Sequence, residues 1–411
     1  MLLAAAGVVL AVQAWFAGSL FRYMLAGSVA GIVLCVPALS ILVWRERARR
    51  FWRRTLFALV PLTGLLLLLE LGVHLFGPAR QLPARVRPEA RLGHVLEPGS
   101  DGTDRNGFRN AAVPARTDVL FVGDSQTWGF QVERDETFAA VFSARTGASS
   151  YQMSNGSYGP VQYRELVRRG LPLQPKLVVV AFYFGNDLVD ASGYAGLEGA
   201  QDLRSPGVNY VVRHNAELDG ERSPNWTMAL VDGVLAASRV LDFAARVVKS
   251  RLRGGILDEQ PGSVAFEKGV PTVLLPDYRL PIVDPDNPQV RDGLLISGRC
   301  LADIAGQCRS IGARCLLLAI PTKEFCYQEW QLGQGTPLPA LRALHAAETR
   351  ARRELFNLAA AAGCEIADLG PACVAALAAG TPVWPPSGDG HLNAAGHREA
   401  ARLIEQIHAR K

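Results

Sequence analysis

The chain predicts an α/β domain built on a parallel sheet and preceded by helices that cross a membrane. Three observations carry this reading. Short β-rich runs alternate with helical patterns from residue 118 onward, glycine-containing polar motifs follow those runs directly, and three apolar stretches occupy the first 76 residues. With 411 residues and 49% hydrophobic content there is ample material for a large packed core beside the membrane segments. The formal charge of +5 comes from one place: six arginines (Arg45, Arg47, Arg49, Arg50, Arg53, Arg54) less Glu46 already give +5. The rest of the chain is balanced, so the charge lends nucleic-acid binding no support.

The apolar stretches cover about 2–21, 25–44 and 55–76, each near the ~20 residues that span a hydrocarbon core. Residues 1–78 are therefore expected to form three transmembrane helices. A cleaved signal peptide fits the first stretch less well, because no positive charge precedes it and more apolar sequence follows. The arginine-rich loop "RERARRFWRR" between the second and third stretches is expected to stay in the cytoplasm. The third helix then exits on the far side, and everything after about residue 78 lies outside the cytoplasmic membrane, in the periplasm or beyond. Glu70, with His74 one turn on, falls at the outer interface rather than at a proton-relay position.

Residues 79–116 are rich in Pro, Arg and Gly and read as a tether and lead-in. The main domain, 117–411, follows. Its strand-like runs are "DVLFVG" (118–123), "SYQMS" (150–154), "KLVVVAFYF" (176–184), "RCLLLAIP" (314–321) and "CEIADLG" (364–370). Helical patterns fall at about 135–146, 160–170, 291–311, 336–362 and 393–410. This alternation calls for helices on both faces of a parallel sheet, with the site on the loops at the strands' carboxyl ends. An insert at about 190–287 breaks the regularity. It carries a helix pattern at 226–253 that reads as a side-packed helix, with a lid or membrane-facing helix as the alternative. The tripeptides "NGS" at 155 and "NWT" at 225 match a glycosylation pattern that is common by chance.

Cys35 belongs to a membrane stretch, and the other cysteines (Cys300, Cys308, Cys315, Cys326, Cys364, Cys373) all lie in the C-terminal third. An even number in an oxidising compartment permits disulfides without choosing their pairing. Cys315, opening the apolar run "CLLLAI", reads as simply buried. No C-x-x-C spacing occurs, so zinc and thioredoxin-like chemistry find no support.

Four motifs sit at the strand ends. In "GDS", Gly123 permits a tight turn, and Ser125 at the following helix start is either a nucleophile or an N-cap. "SNGSYGP" (154–160) can bring a backbone N–H inward as an oxyanion donor or be a plain turn. In "FGND", Asn186 can aim its amide at a developing oxyanion or close an Asx-turn. In "SGDGHLNAAGH" (387–397), Asp389 and His391 are two apart, a separation from which the carboxylate can reach the near side of the imidazole while the other nitrogen acts as general base. His397, one turn into the last helix, reads as a surface or capping residue. A nucleophile, oxyanion donors, a base and its orienting carboxylate thus all fall on strand-end loops of one sheet.

Taken together, "FVGDSQTWG", "SNGSYGP", "FGND" and "DGHLNAAGH" resemble the blocks of the SGNH/GDSL hydrolase superfamily, in order and over about residues 105–410. "DRNGFRN" and "IPTKEFCY" are similar to segments of its bacterial membrane-tethered members. The resemblance implies a flavodoxin-like three-layer α/β/α domain and an esterase or acyltransferase that uses no metal or organic cofactor. It implies Ser125 as nucleophile and donor of one oxyanion N–H, Asn186 as side-chain donor, His391 as base and Asp389 as its orienting carboxylate. Two features depart from the pattern. The last block usually reads D-x-x-H, whereas Gly388 stands three before His391 and Asp389 two before; alginate O-acetyltransferase-like relatives are similar in their D-x-H spacing. The second block registers either with Ser157 or with Gly159 at the oxyanion position. Asp124 reads as a structural turn residue.

The expected protein is a membrane-anchored serine esterase acting through an acyl-enzyme on ester-linked groups, O-acetyl above all, of an extracytoplasmic carbohydrate or lipid. Two alternatives stand beside it. One is a polysaccharide O-acyltransferase using the same residues; the other is a non-catalytic glycan-binding component working with other membrane proteins of an export pathway.

Overall fold

The computed structural model describes Phe57 and residues 86–99, 102–208 and 262–410. The three apolar stretches, with Cys35, Glu70 and His74, lie outside the described residues, as do the helix pattern at 226–253 and Asn225. No helix among the described residues is long and apolar enough to cross a membrane. Apart from Phe57, the described residues belong to one compact unit, 81–220 with 253–411.

That unit opens with an antiparallel hairpin, β1 (Val86–Glu89) and β2 (Gly93–Leu96). The lead-in is therefore packed structure from residue 86 onward and not a tether. Leu92, Leu96 and Phe108 are buried, and Asp104 accepts a hydrogen bond from Tyr151 Oη at 2.8 Å. Its Pro/Arg/Gly-rich composition concealed this, because the segment is held by side-chain hydrogen bonds to the main sheet rather than by an apolar repeat of its own. Asn110, for example, brackets the Gln152 backbone, donating to its carbonyl at 2.9 Å and accepting its N–H at 3.1 Å.

The central sheet holds five strands: β3 (Val119–Gly123), β4 (Ser150–Ser154), β5 (Leu177–Tyr183), β8 (Arg314–Ile320) and β9 (Glu365–Asp368). A second short hairpin, β6 (Val264–Phe266) with β7 (Thr272–Leu274), lies apart from it. The central strands are all parallel in the order β4-β3-β5-β8-β9. Counting those five in chain order gives 2-1-3-4-5, the flavodoxin-like arrangement, whose topological switch point lies between β3 and β5. β3 and β5 are buried along their whole length, as parallel strands covered on both faces must be. Their side chains alternate between two cores. Leu120, Val122, Val178 and Val180 face one, and Val119, Phe121, Val179 and Ala181 the other.

The helices are α1 (Ser125–Trp128), α2 (Phe138–Thr146), α3 (Pro160–Gly170), α4 (Asp187–Tyr194), α5 (Pro276–Val283), α6 (Pro288–Ser310), α7 (Lys323–Gly333), α8 (Arg342–Ala362), α9 (Gly370–Ala378) and α10 (Ala394–His408). Of these, α3, α6 and α8 cover the first core, and α2, α7, α9 and α10 the second. Helix α8 starts later than the pattern at 336 suggested, because Pro337 and Pro339 lead into a 3₁₀ turn, Pro339–Leu341. Within the 190–287 limits, or across their edge, lie α4, β6, β7 and α5. The six described cysteines are buried free thiols, with the Sγ atoms of Cys315, on β8, and Cys364, just before β9, 3.0 Å apart.

Candidate active site

Gly123 ends β3 where a side chain has no room, since a Cβ there would lie 1.9 Å from Thr127 Oγ1 and 3.2 Å from Ala181 Cβ. The chain then turns directly into α1. Asp124 caps it, its Oδ1 accepting the Gln126 N–H at 2.9 Å. Ser125 is thus the first helical residue, where a backbone N–H has no intrahelical partner. The C-terminal end of α1 is fixed by Arg109 of the lead-in, which donates to Trp128 O (2.9 Å), Gly129 O (2.8 Å) and Val132 O (3.0 Å).

His391 comes from the irregular segment 379–393, on the far side of the sequence. Its Nε2 lies 2.9 Å from Ser125 Oγ, and its Nδ1 2.6 Å from Asp389 Oδ1. Asp389 Oδ1 also accepts the His391 backbone N–H at 2.9 Å, and Oδ2 accepts from Gln131 Nε2. The two-residue spacing therefore works: one carboxylate oxygen holds the backbone and the ring of the same histidine. Burial by itself would raise the Asp389 pKa, but the hydrogen bonds and charge of His391, helped by Gln131, hold it well below the usual carboxylate range. An ionised Asp389 assigns the ring proton to Nδ1 and leaves Nε2 free to accept from Ser125. Phe130, half exposed, flanks the imidazole with ring centroids 5.0 Å apart.

Asn186 follows β5 across the switch point. Its Nδ2 donates to Asp190 Oδ2 at 2.8 Å, and its amide faces Asp124, beside the serine. The two hydrogens of that one nitrogen are thus directed at the carboxylates of Asp190 and Asp124. In the second block, register pairs Gly123 with Ser154, so Asn155 and Gly156 leave the sheet alongside Asp124 and Ser125. Gly159 is not placed as an oxyanion donor. It caps α3, its N–H donates to Gln162 Oε1 at 3.1 Å, and its lack of a side chain is explained by Asp190, whose Cβ would be 2.8 Å from a Cβ at 159. In the 155–157 turn, Gly156 N–H donates to Asn155 Oδ1 at 2.9 Å and Ser157 adopts a left-handed φ of 61°. His94 of β2 braces this turn through Gly156 O, 3.0 Å away. His397 is buried, not at the surface. It stacks on Phe138 and accepts the Phe138 N–H at Nδ1 (3.1 Å), and burial first, then Arg109 and His391, pushes its pKa down to about 3.

Several side chains that shape the site carry no recognisable spacing. Buried Gln126 ties α1 to the histidine loop, donating to Gly390 O and accepting from Leu392 N, each at 3.0 Å. Arg279 of α5 donates to Gly185 O at 3.1 Å and lies over the Tyr183 ring. Lys323, from "IPTKEFCY", is fully buried and reaches the same loop from below. Among the described residues, no three His, Cys, Asp or Glu side chains converge as metal ligands.

No protein-family model and no curated protein matches the chain. Solved structures similar to it include a putative lipolytic protein of the G-D-S-L family from Desulfitobacterium hafniense, 9% identical, with a TM-score of 0.34 over 71% of this chain and 99% of that one. A phospholipase A1 from Streptomyces albidoflavus is 10% identical, with a TM-score of 0.37 over 72% and 99%. A catalytic mutant of an acetylxylan esterase from Geobacillus stearothermophilus is 12% identical, with a TM-score of 0.34 over 73% and 97%.

Proposed function

We propose that the protein is a serine ester hydrolase of the SGNH type that works through an acyl-enzyme. The observation that carries this is the continuous line Ser125 Oγ, His391 Nε2, His391 Nδ1, Asp389 Oδ1, with links of 2.9 and 2.6 Å. Nothing in a purely structural role for Ser125 requires an imidazole at its hydroxyl with a carboxylate behind it. His391 Nε2 takes the Ser125 proton as Oγ attacks the ester carbonyl carbon. The carbonyl electron pair moves onto oxygen, where the Ser125 N–H, the Asn186 amide once it turns from Asp124, and the 155–157 turn supply donors. Collapse expels the alkoxide, which takes the proton from His391 and leaves Ser125 acylated. A water deprotonated by His391 then releases the carboxylate and restores Ser125.

The substrate class in this reading is a small acyl ester, acetyl above all, on a carbohydrate or lipid outside the cytoplasmic membrane. It rests on the motif resemblance and on the arginine-rich loop between the apolar stretches. The test is labelling of the full-length protein with a fluorophosphonate probe, beside assay of an acetyl ester with and without an oligosaccharide acceptor. Wild type is expected to be labelled and to hydrolyse the ester, and Ser125→Ala to lose the label and at least about 10⁴-fold of the activity. Absence of label on wild type would sink the catalytic reading in favour of a binding role, and transfer products in excess of hydrolysis would make the enzyme an acyltransferase.

A further inference from the structure

We propose that Lys323 is a positioning residue for the Asp389–His391 pair: its buried ammonium holds the backbone of the loop that aims His391 at Ser125. This rests on the serine-esterase reading above. Lys323 is the first residue of α7 and has no solvent exposure. A buried ammonium is tolerated only where several acceptors replace its water shell. Those acceptors include Ser387 O at 2.6 Å, Asp389 O at 3.2 Å and Thr272 Oγ1 at 3.2 Å. Two of the three are carbonyls of the loop itself, and one belongs to the residue that orients the base.

The loop needs such a partner because residues 379–393 form neither helix nor strand, so no ladder satisfies their carbonyls. Gln126 and Tyr183 serve Gly390 O from the serine side, at 3.0 and 3.4 Å, and Lys323 serves the carbonyls at 387 and 389. Thr272 adds to the same grip, its hydroxyl lying 3.3 Å from Pro385 O and 3.4 Å from Ser387 O. The lysine is itself fixed from behind. Thr322 caps α7, and both its N–H (3.1 Å) and its hydroxyl donate to the buried carboxylate of Glu348 on α8. The next residue, Glu324, accepts the Leu275 N–H at 2.9 Å and so ties the same turn to the segment that carries Arg279. "PTKE" thus joins α8, α5 and the histidine loop at one point. Without the ammonium, two half-buried loop carbonyls lose a charged donor, and the loop relaxes until water or another donor reaches them. Displacement of His391 by about 1 Å is enough to cost about 10²-fold in rate.

The experiment uses full-length Lys323→Met, Lys323→Arg and Thr272→Val, each checked for folding by thermal melting. Each is assayed for p-nitrophenyl acetate hydrolysis and for the rate of fluorophosphonate labelling, with wild type and Ser125→Ala alongside. Lys323→Met is expected to lower kcat and the labelling rate together by about 10²-fold, with KM within about threefold because Lys323 touches no substrate. Lys323→Arg, which keeps a cationic donor, is expected to recover about tenfold of that loss. A folded Lys323→Met with wild-type kcat, or a loss carried by KM alone, overturns the proposal. Should Lys323→Met not fold, Thr272→Val decides: a kcat lowered by about threefold or more supports the grip on the loop, and an unchanged kcat overturns it. An inert, unlabelled wild type overturns the serine reading and this proposal with it, whereas an active wild type matched by the Lys323 variants overturns this proposal alone.

Discussion

Asp124 and Asp389 flank the same serine, yet their surroundings act on them in opposite directions. Asp389 is held ionised by His391 and Gln131, so it orients the base throughout the neutral range. Asp124 has no exposure, and burial pushes its pKa up to about 6 against the pull of Gln126, His391 and Asn186. A raised carboxyl pKa means that the folded state prefers the neutral acid. The stability Asp124 contributes is fully present below its unfolded value near 3.8 and is lost as pH rises through about 6. Asp124→Asn keeps an acceptor for the Gln126 N–H and cannot ionise. The variant is therefore expected to lose less stability than wild type between pH 4 and pH 8, by up to about 3 kcal/mol for a shift of about two units. Urea unfolding at both pH values checks this, and equal pH dependence in the two proteins would refute it. Sequence alone marked Asp124 as a turn residue, correctly, because a carboxylate between a strand-end glycine and a helix start has a local job as N-cap. It could not mark Gln126, whose two partners are 264 and 266 positions away.

At the level of elements, what was legible depended on whether an element announces itself by its own pattern. Strands β3, β5 and β8 are nearly continuous apolar runs, and each of the five central strands was placed within about two residues of its observed bounds. Helix α7 was missed, as were α4, α5 and α9. The first, "KEFCYQEWQLG", is buried on most of its surface by aromatic and polar side chains alike, so it shows little of the one-sided periodicity that sequence reading looks for. The hairpin β1–β2 was missed because its stability comes from neighbours. Close helix contacts are likewise invisible until packing is known. Helix α6 crosses α4 at Gly293, where a Cβ would lie 1.7 Å from Leu188 O. That contact seats the helix that follows Asn186 and carries Asp190, the Asn186 partner. Gly293→Ala must separate the two backbones, and a loss of about 1–3 kcal/mol in urea unfolding is expected. A variant as stable as wild type would show that α4 can shift without cost.

For the whole molecule, the proposed topology makes its own prediction. A fluorescent protein that matures only in the cytoplasm, fused after residue 50, is expected to be active. An alkaline phosphatase that folds only after export is expected to be active at the C-terminus and inactive after residue 50. The reverse pattern would invert the orientation, and phosphatase activity at neither site would place the domain inside. This expectation, the parallel α/β architecture and the identity of Ser125, Asn186, Asp389 and His391 as candidates were all determined by sequence, because membrane length, strand hydrophobicity and strand-end motifs are local signals. Tertiary structure decided which candidates meet. It set His391 against Ser125 and assigned Asp389 to both the ring and the backbone of that histidine. It removed Gly159 from the donors by committing its N–H to Gln162, and it brought in Gln126 and Lys323 as supports of the loop. The reason is that a hydrogen bond between residues more than 260 positions apart leaves no trace in spacing, and exists only once the parallel sheet has laid its strand ends side by side.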